Sequence, residues 1–189
     1  MPLTRDDLIG YIDRDLDDDL ARWFAGSPAV DISDEPVRAV EPFLTRLSPA
    51  DAAPLAAFDR RVRSGTMPQF LDIYSWSYGF DFAGNECEIL DSDYATELTD
   101  ADLYSLGADG GGNLYVLLHT GQVALWFHEE QVVEGHTCFD DLDTFVWSMV
   151  RYHAVRAGEL TPLSVEAEFL ALAQDGMLEP EVGLLRTLR

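Results

Sequence analysis

The stretch that decides the fold is NLYVLLHTGQVALWF, residues 113–127. Two apolar runs flank His119-Thr120-Gly121, and both are rich in the branched and aromatic residues that favour strands. Such runs on either side of a short turn containing glycine are typical of a β-hairpin. The stretch therefore predicts two antiparallel strands, 113–118 and 122–127.

A glycine-rich segment, 107–112, leads into this hairpin. A phosphate-binding loop would carry Gly-x-Gly-x-x-Gly or Gly-Lys-Ser and would open a helix, so that backbone N–H groups face the anion. This segment has neither pattern and leads into a strand. It predicts a tight bend that needs positive φ.

Helices are predicted on both sides of the hairpin. Downstream, an apolar stripe favours a helix from near Thr137 to Gly158, and the tail favours two more, 164–174 and 181–188. Upstream, leucine and isoleucine recur every four residues from 5 to 25, and Thr4 with Asp7 resembles a capping box. Ser48-Pro49 predicts the start of another helix, and Gly65 its end.

Between these helices and the hairpin, aromatic residues alternate with small or polar ones. Tyr74, Trp76, Tyr78, Phe80 and Phe82 occupy every second position, which predicts one extended strand with an aromatic face. The ranges 86–90 and 103–106 are weaker strand candidates. Strands and helices in this order predict an α+β fold: a small, mostly antiparallel sheet packed by helices, with extra helices at both termini.

The charge balance excludes several functions. The 189 residues include 35 acidic and 12 basic ones, a net charge of −23, and all the basic residues are arginine. A chain this acidic repels nucleic acids and anionic membranes. Without lysine there is no phosphate-loop lysine and no Schiff-base lysine, which excludes P-loop NTPases and pyridoxal enzymes.

The acidic residues are concentrated in the middle of the chain. Residues 64–150 hold 16 of them and no arginine. This pattern predicts either an acidic face, between about Asp72 and Asp143, for a positively charged partner, or merely solvated loops and strand edges.

Metal, cofactor and thiol chemistry find little support. Asp13-x-Asp15-x-Asp17 lacks the glycine and glutamate of a calcium loop, and His128 and His136 are too far apart for a helical zinc motif. We therefore expect no metal and no cofactor. Cys87 and Cys138 predict reduced thiols, with the pKa of Cys138 lowered if it begins a helix.

Apolar residues make up 47% of the chain and aromatic ones 11%, as in a folded domain. No stretch resembles a signal peptide or membrane span, so we expect a cytoplasmic protein. The expected organisation is one compact domain with an N-terminal helical region, 1–66, a core, 67–158, and a C-terminal helical tail, 159–189.

Residues 103–150 resemble the core of the SUKH superfamily, the Smi/Knr cell-wall-regulator-like domain. Both share a glycine-rich bend, two strands ending near a His-Glu pair, and a helix that opens with phenylalanine and acidic residues. The positions that carry the resemblance are Asp109, Gly110, Gly111, Gly112, Asn113, Gly121, Trp126, His128, Glu129 and Phe139. The resemblance implies an α+β immunity protein, which binds and neutralises a cognate secreted toxin such as a nuclease.

Charge and resemblance together predict a non-catalytic binding protein that occludes a basic partner. The predicted contact residues are Glu86, Glu88, Asp91, Asp93, Glu97, Asp100 and Asp102, with Tyr94 and Tyr104 as exposed aromatic anchors. Two alternatives stay open. An enzyme would hold two carboxylates with perturbed pKa values in a deep pocket, and a regulatory scaffold would have a binding groove.

Overall fold

The computed structural model describes residues 2–92, 96–178 and 183–188, with the side chains of 135–137 outside that description. It confirms the α+β fold, with helices near both termini. The described strands form one six-stranded sheet in the order β2-β1-β6-β5-β4-β3. Their ranges are β1 Leu90–Asp91, β2 Thr96–Glu97, β3 Leu103–Ala108, β4 Leu114–Leu118, β5 Val123–Phe127 and β6 Val132–Phe139.

The predicted hairpin is confirmed as β4 and β5. They pair antiparallel from Leu114↔Trp126 to Leu117↔Val123, and Gly121 takes φ 87° in the turn between them. Strands β3 and β6 extend this meander with further antiparallel pairs, whereas β1 joins β6 in parallel. The small outer strand β2 pairs antiparallel with β1 and leaves an open edge.

Side chains of strand β4 alternate between two buried faces of the sheet. On β4, Tyr115 and Leu117 enter the larger core beneath the helices, while Leu114, Val116 and Leu118 enter a smaller core on the opposite face. Loop residues such as Phe82 and Ile89 cover that smaller core. Because both faces of the sheet are buried, the sequences of its strands are nearly continuous apolar runs.

Helix α5 lies at the centre of the helical layer. It packs against N-terminal and C-terminal helices as well as β6, and most of its residues are buried. The helices are a 3-10 turn, Arg5–Leu8, then α1 Tyr11–Arg14, α2 Leu16–Trp23, α3 Glu41–Leu44, α4 Pro49–Ser64, α5 Leu142–Arg156, α6 Pro162–Leu172, α7 Asp175–Leu178 and α8 Leu184–Leu188.

The prediction of one continuous helix over 5–25 is wrong, because the region forms a 3-10 turn and two short helices. Gly10 takes φ 77°, a left-handed conformation that glycine adopts easily, and it separates the 3-10 turn from α1. A second break falls at Asp15, before α2. The capping box of Thr4 and Asp7 is present, and α4 begins after Ser48 and ends at Gly65 as predicted.

The predicted aromatic strand over 74–82 is also wrong. The chain turns there, because the Ser77 hydroxyl accepts a hydrogen bond from the Tyr74 amide and donates one to the Asp72 carbonyl. The aromatic side chains consequently point in different directions. Tyr78 and Phe82 are fully buried, whereas Tyr74 and Trp76 are exposed and stacked on each other.

The helix predicted from near Thr137 begins later than expected. Thr137 and Cys138 lie in β6, and Asp141 caps α5 by accepting a hydrogen bond from the Thr144 amide at 2.7 Å. The predicted start of the last helix at Glu181 lies outside the described residues. None of the described helices is long and apolar enough to cross a membrane.

Candidate functional site

Aspartate neutralises most arginines of this chain. Among the described residues, eight arginines form ion pairs, and every partner there is an aspartate. We call these eight pairs the Arg-Asp pairs; they are Arg5 with Asp141, Arg14 with Asp15, Arg38 with Asp100, Arg46 with Asp102, Arg60 with Asp13, Arg61 with Asp17, Arg63 with Asp59 and Arg151 with Asp19.

The most enclosed of the Arg-Asp pairs joins α5 to α2. The Arg151 guanidinium lies 3.0 Å from the Asp19 carboxylate, with both side chains largely buried. The same guanidinium stacks over Trp147 at 4.2 Å, and the Tyr11 hydroxyl donates a hydrogen bond to Asp19 at 2.8 Å. Burial raises the pKa of the Tyr11 hydroxyl well above its usual value, so tyrosine remains a donor here.

A group of exposed glutamates lies on the edge strand β2, just before β1 and in the turn between β5 and β6, and these glutamates have no such partners among the described residues. None of them forms an ion pair with any arginine in the described part of the chain. We call this group the edge glutamates; its members are Glu86, Glu88, Glu97, Glu129 and Glu130.

Backbone pairing brings the edge glutamates together around Leu90. Leu90 is directly opposite Glu97 on β2, and its amide donates to the Gln131 carbonyl at 3.0 Å. The Glu88 amide donates to the side chain of the same Gln131, at the end of the turn that holds Glu129 and Glu130. Leu90 itself is 42% exposed. Leu90 is thus an exposed apolar residue directly opposite Glu97, and Gln131 links it to Glu88 and to the turn of Glu129 and Glu130.

The predicted contact residues divide into two groups. Glu86, Glu88 and Glu97 are exposed and belong to the edge glutamates. Asp91 is buried at 4% exposure and Tyr104 is fully buried, so their prediction as surface contacts is wrong. Asp93 and Tyr94 lie outside the described residues.

Asp100, Asp102 and Asp143 serve the fold. Asp100 accepts hydrogen bonds from the Ala83 amide at 3.0 Å and from Arg38 at 2.6 Å, and Asp102 accepts from the Thr99 amide at 2.9 Å. Asp143, at the end of the predicted acidic face, is buried and accepts from the Gly10 and Ile12 amides. Carboxylates occupied in this way are poor candidates for partner contacts.

The residues of the glycine-rich bend form a small network. The Asp109 carboxylate accepts from the Gly111 amide at 2.7 Å and the Asn113 side chain at 2.9 Å. The Asn113 side-chain oxygen lies 2.9 Å from Nδ1 of His128 and accepts from the His128 amide. Gly110 and Gly112 take φ 88° and 97°, which confirms the predicted bend.

The remaining residues that carry the SUKH resemblance are mostly structural. The Trp126 indole donates to the Glu88 carbonyl at 3.1 Å, and Phe139 packs edge-on against Phe145 in the core. A side chain at Gly121 would collide with the Asp51 carboxylate at 2.5 Å. Of these positions, only Glu129 belongs to the edge glutamates.

A cleft of about 700 Å³ opens on the helical side of the sheet. Its walls come from the loops after α2 and α4, the end of β3, the middle of β4 and β5, and the last turns of α5. The volume is in the range of small-molecule sites. The polar side chains that line it include Asp72, Asp109, Tyr115, Tyr152, His153 and Arg156.

Asp72 and Asp109 meet at this cleft because the Asp72 carbonyl accepts the Ala108 amide at 2.8 Å. Desolvation raises the pKa of the Asp72 carboxyl, and the nearby Asp109 charge raises it further, whereas Arg156 acts in the opposite direction. Sequence reasoning did not select Asp72, Tyr115, His153 or Arg156. They come from three separate segments, the loop after α4, β4 and α5, and no local motif connects these segments.

Cys138 does not begin a helix, so its predicted low pKa is wrong. The thiol lies in β6 at 2% exposure, and burial raises its pKa to about 12, with the charge of Asp175 adding to the effect. Cys138 is therefore protonated near neutral pH. Within residues 2–92, 96–178 and 183–188, no group of three or more potential ligands is placed to hold a metal ion.

Comparison with protein-family models, with curated proteins and with solved structures finds no match to this chain. The SUKH resemblance thus stays a prediction that rests on the residues quoted for it. Function is argued below from the chain's own geometry.

Proposed function

We propose that this chain is a non-catalytic acidic binding protein whose edge glutamates and Leu90 contact a basic protein. The SUKH resemblance supports a cognate toxin, such as a nuclease, as the partner, neutralised by occlusion. One observation carries the proposal: within the described residues eight arginines are paired with aspartates, while five exposed glutamates, among them Glu97 directly opposite the exposed Leu90, form no ion pair with an arginine.

Physical chemistry explains why such an edge suits a basic partner. Uncompensated charges of one sign repel one another in the free protein, and a surface of opposite charge relieves that repulsion. The same field accelerates association and weakens as salt screens it. A nuclease surface is basic because it holds phosphates, so it is complementary to this edge.

Leu90 gives the edge an apolar centre. Interface energy is concentrated in desolvated contacts near the middle of a patch, whereas charged residues at the rim contribute mainly to specificity and association rate. The short outer strand β2 also leaves backbone groups unpaired at the open edge. A partner could therefore contact charge, an apolar side chain and backbone together.

The experiment is co-expression with the products of the genes that flank this one. We expect one of them to be a basic toxin that kills cells alone, and we expect this chain to protect those cells by forming a stoichiometric complex. Flanking genes that encode no toxin, or a toxin that this chain neither binds nor neutralises, would contradict the proposal.

The cleft is the specific observation that favours the alternative of a carboxylate-pair enzyme. It brings together two carboxylates, and the pKa of one, Asp72, is raised. However, the Asp109 carboxylate is already occupied by hydrogen bonds from the bend that it holds. Only Asp72 is available for a ligand, which favours binding in the cleft over acid/base chemistry.

A further inference from the structure

We propose that the cleft binds a small zwitterion of the amino-acid type, with an ammonium group, a carboxylate and an apolar side chain. This inference does not rest on the edge glutamates, none of which lines the cleft. It rests on an aspartate and an arginine of the cleft that form no ion pair with any described residue, and on a tyrosine hydroxyl in the same cleft.

The deepest of these groups is the hydroxyl of Tyr115. The residue is only 5% exposed and lines the cleft, yet its hydroxyl has no hydrogen-bond partner among the described residues. The charges of Asp72 and Asp109 reach it, since both act to raise its pKa after the larger effect of burial. The Tyr115 hydroxyl is open to the cleft, so a ligand there can donate a hydrogen bond to it or accept one from it.

Two side chains of opposite charge line the same cleft as this hydroxyl. The half-buried Asp72 carboxylate has no hydrogen bond or ion pair with any described residue, and the Arg156 guanidinium has no carboxylate of that part of the chain within ion-pair distance. Arg156 instead lies 3.4 Å from the Tyr152 hydroxyl. Asp72 and Arg156 are thus too far apart to neutralise each other but share one cleft.

A ligand with both charges satisfies this arrangement. Its ammonium group would donate to Asp72 and its carboxylate would accept from Arg156, and charge-assisted hydrogen bonds of this kind are stronger than neutral ones. His153 fits the same ligand as a neutral acceptor, because burial and the charge of Arg156 lower its pKa to about 4.

Part of the remaining lining is apolar and suits a hydrocarbon side chain. Phe24 and Phe70 pack against each other with ring centroids 6.2 Å apart, and Leu125 and Met149 also line the cleft. Ser27, Gln69 and Thr187 add further polar groups to the lining.

Isothermal titration calorimetry with the twenty standard L-amino acids tests this proposal. We expect at least one apolar amino acid to bind, about tenfold or more tightly than its amine-only and carboxylate-only analogues. For L-phenylalanine these analogues are phenethylamine and 3-phenylpropionate. If no amino acid binds at millimolar concentration, or if one analogue binds as tightly as the amino acid, the proposal is overturned.

Two variants assign the charges. Asp72→Asn should remove the advantage of the ammonium group, so that the amino acid binds only as well as the carboxylate analogue, and Arg156→Gln should remove the advantage of the carboxylate. Arg60→Gln is the matched control, since Arg60 is exposed and far from the cleft lining. Folded variants that bind like the control would overturn the assignment, and circular dichroism checks the fold.

Discussion

The Arg-Asp pairs and the edge glutamates show two uses of negative charge in one chain. In six of the eight pairs, short aspartate side chains bind arginines of segments far apart in sequence, such as α2 and α5. The edge glutamates have longer side chains that are exposed to solvent and form no ion pair with any described arginine. The comparison indicates that net charge alone says little about function, because some carboxylates stabilise the fold while others are left for a partner.

Breaking the most enclosed Arg-Asp pair should have the largest effect. Arg151→Ala leaves the buried Asp19 carboxylate without a cation and removes the stack over Trp147. We expect the free energy of unfolding to fall by about 3 kcal/mol. Urea unfolding followed by circular dichroism measures this change.

The control for that variant is Arg60→Ala. Arg60 and Asp13 are exposed and 3.7 Å apart, so their loss should change stability by less than about 1 kcal/mol. Equal effects in the two variants would contradict the structural role assigned to the Arg151 pair.

Lowering the pH should destabilise the folded protein through protonation of His153 in α5. The pKa of His153 is lowered to about 4 in the folded protein, from an ordinary value of 6.5, by burial and then by Arg156. The unfolded chain therefore binds the proton first as pH falls through this range, and stability is lost. Between about pH 7 and about pH 5 we expect the free energy of unfolding of the native chain to fall by about 2 kcal/mol more than that of the His153→Gln variant.

His119→Gln controls for the loss of a histidine, since His119 is exposed in the hairpin turn. Its pH dependence should follow that of the native chain. If His153→Gln loses stability with pH as steeply as the native chain does, His153 is not the group responsible.

The half-buried pair of Arg38 and Asp100 should give an intermediate result. Asp100→Asn removes the charge that faces Arg38 and leaves one oxygen, which can replace only one of the two carboxylate oxygens that accept from the Phe82 and Ala83 amides. We expect a loss of about 1–2 kcal/mol in unfolding free energy by urea titration. If Asp100→Asn lowers the free energy of unfolding by less than Arg60→Ala does, the pair of Arg38 and Asp100 contributes no more to stability than an exposed pair.

Sequence reasoning predicted the parts of the fold that depend on local patterns. The hairpin was recognisable because its strands are joined by a short turn, and the start of α4 because Ser48 and Pro49 act within one helical turn. The prediction of a strand over 74–82 was wrong, because alternating aromatic residues indicate a strand only where the backbone is extended. There Ser77 closes a turn that alternation cannot reveal.

The candidate sites were less predictable for the same reason. Exposure of Glu86, Glu88 and Glu97 follows from ordinary glutamate behaviour, but Tyr104 is buried because its hydroxyl donates to the distant Arg38 carbonyl at 2.7 Å. The cleft is beyond sequence reasoning, since Asp72, Tyr115 and Arg156 are brought together only by packing of the sheet against α5.

The smallest stability effect is expected at the edge. Replacing Glu86, Glu88, Glu97, Glu129 and Glu130 together by glutamine removes like charges that repel one another and breaks no ion pair within the described residues. The free energy of unfolding should stay within about 0.5 kcal/mol of the native value or rise slightly. A loss of more than about 1 kcal/mol would show that these glutamates serve the fold.

The most direct test of the proposed division is the affinity of this five-glutamine variant for the basic toxin encoded by a flanking gene. Its matched control neutralises Asp18, Asp34, Glu35, Glu41 and Glu159, which are exposed elsewhere and give the same change in net charge. We expect the edge variant to bind at least about tenfold more weakly than the control variant, with a weaker salt dependence of association. Equal affinities for the two variants would contradict the assignment of the edge as the binding surface.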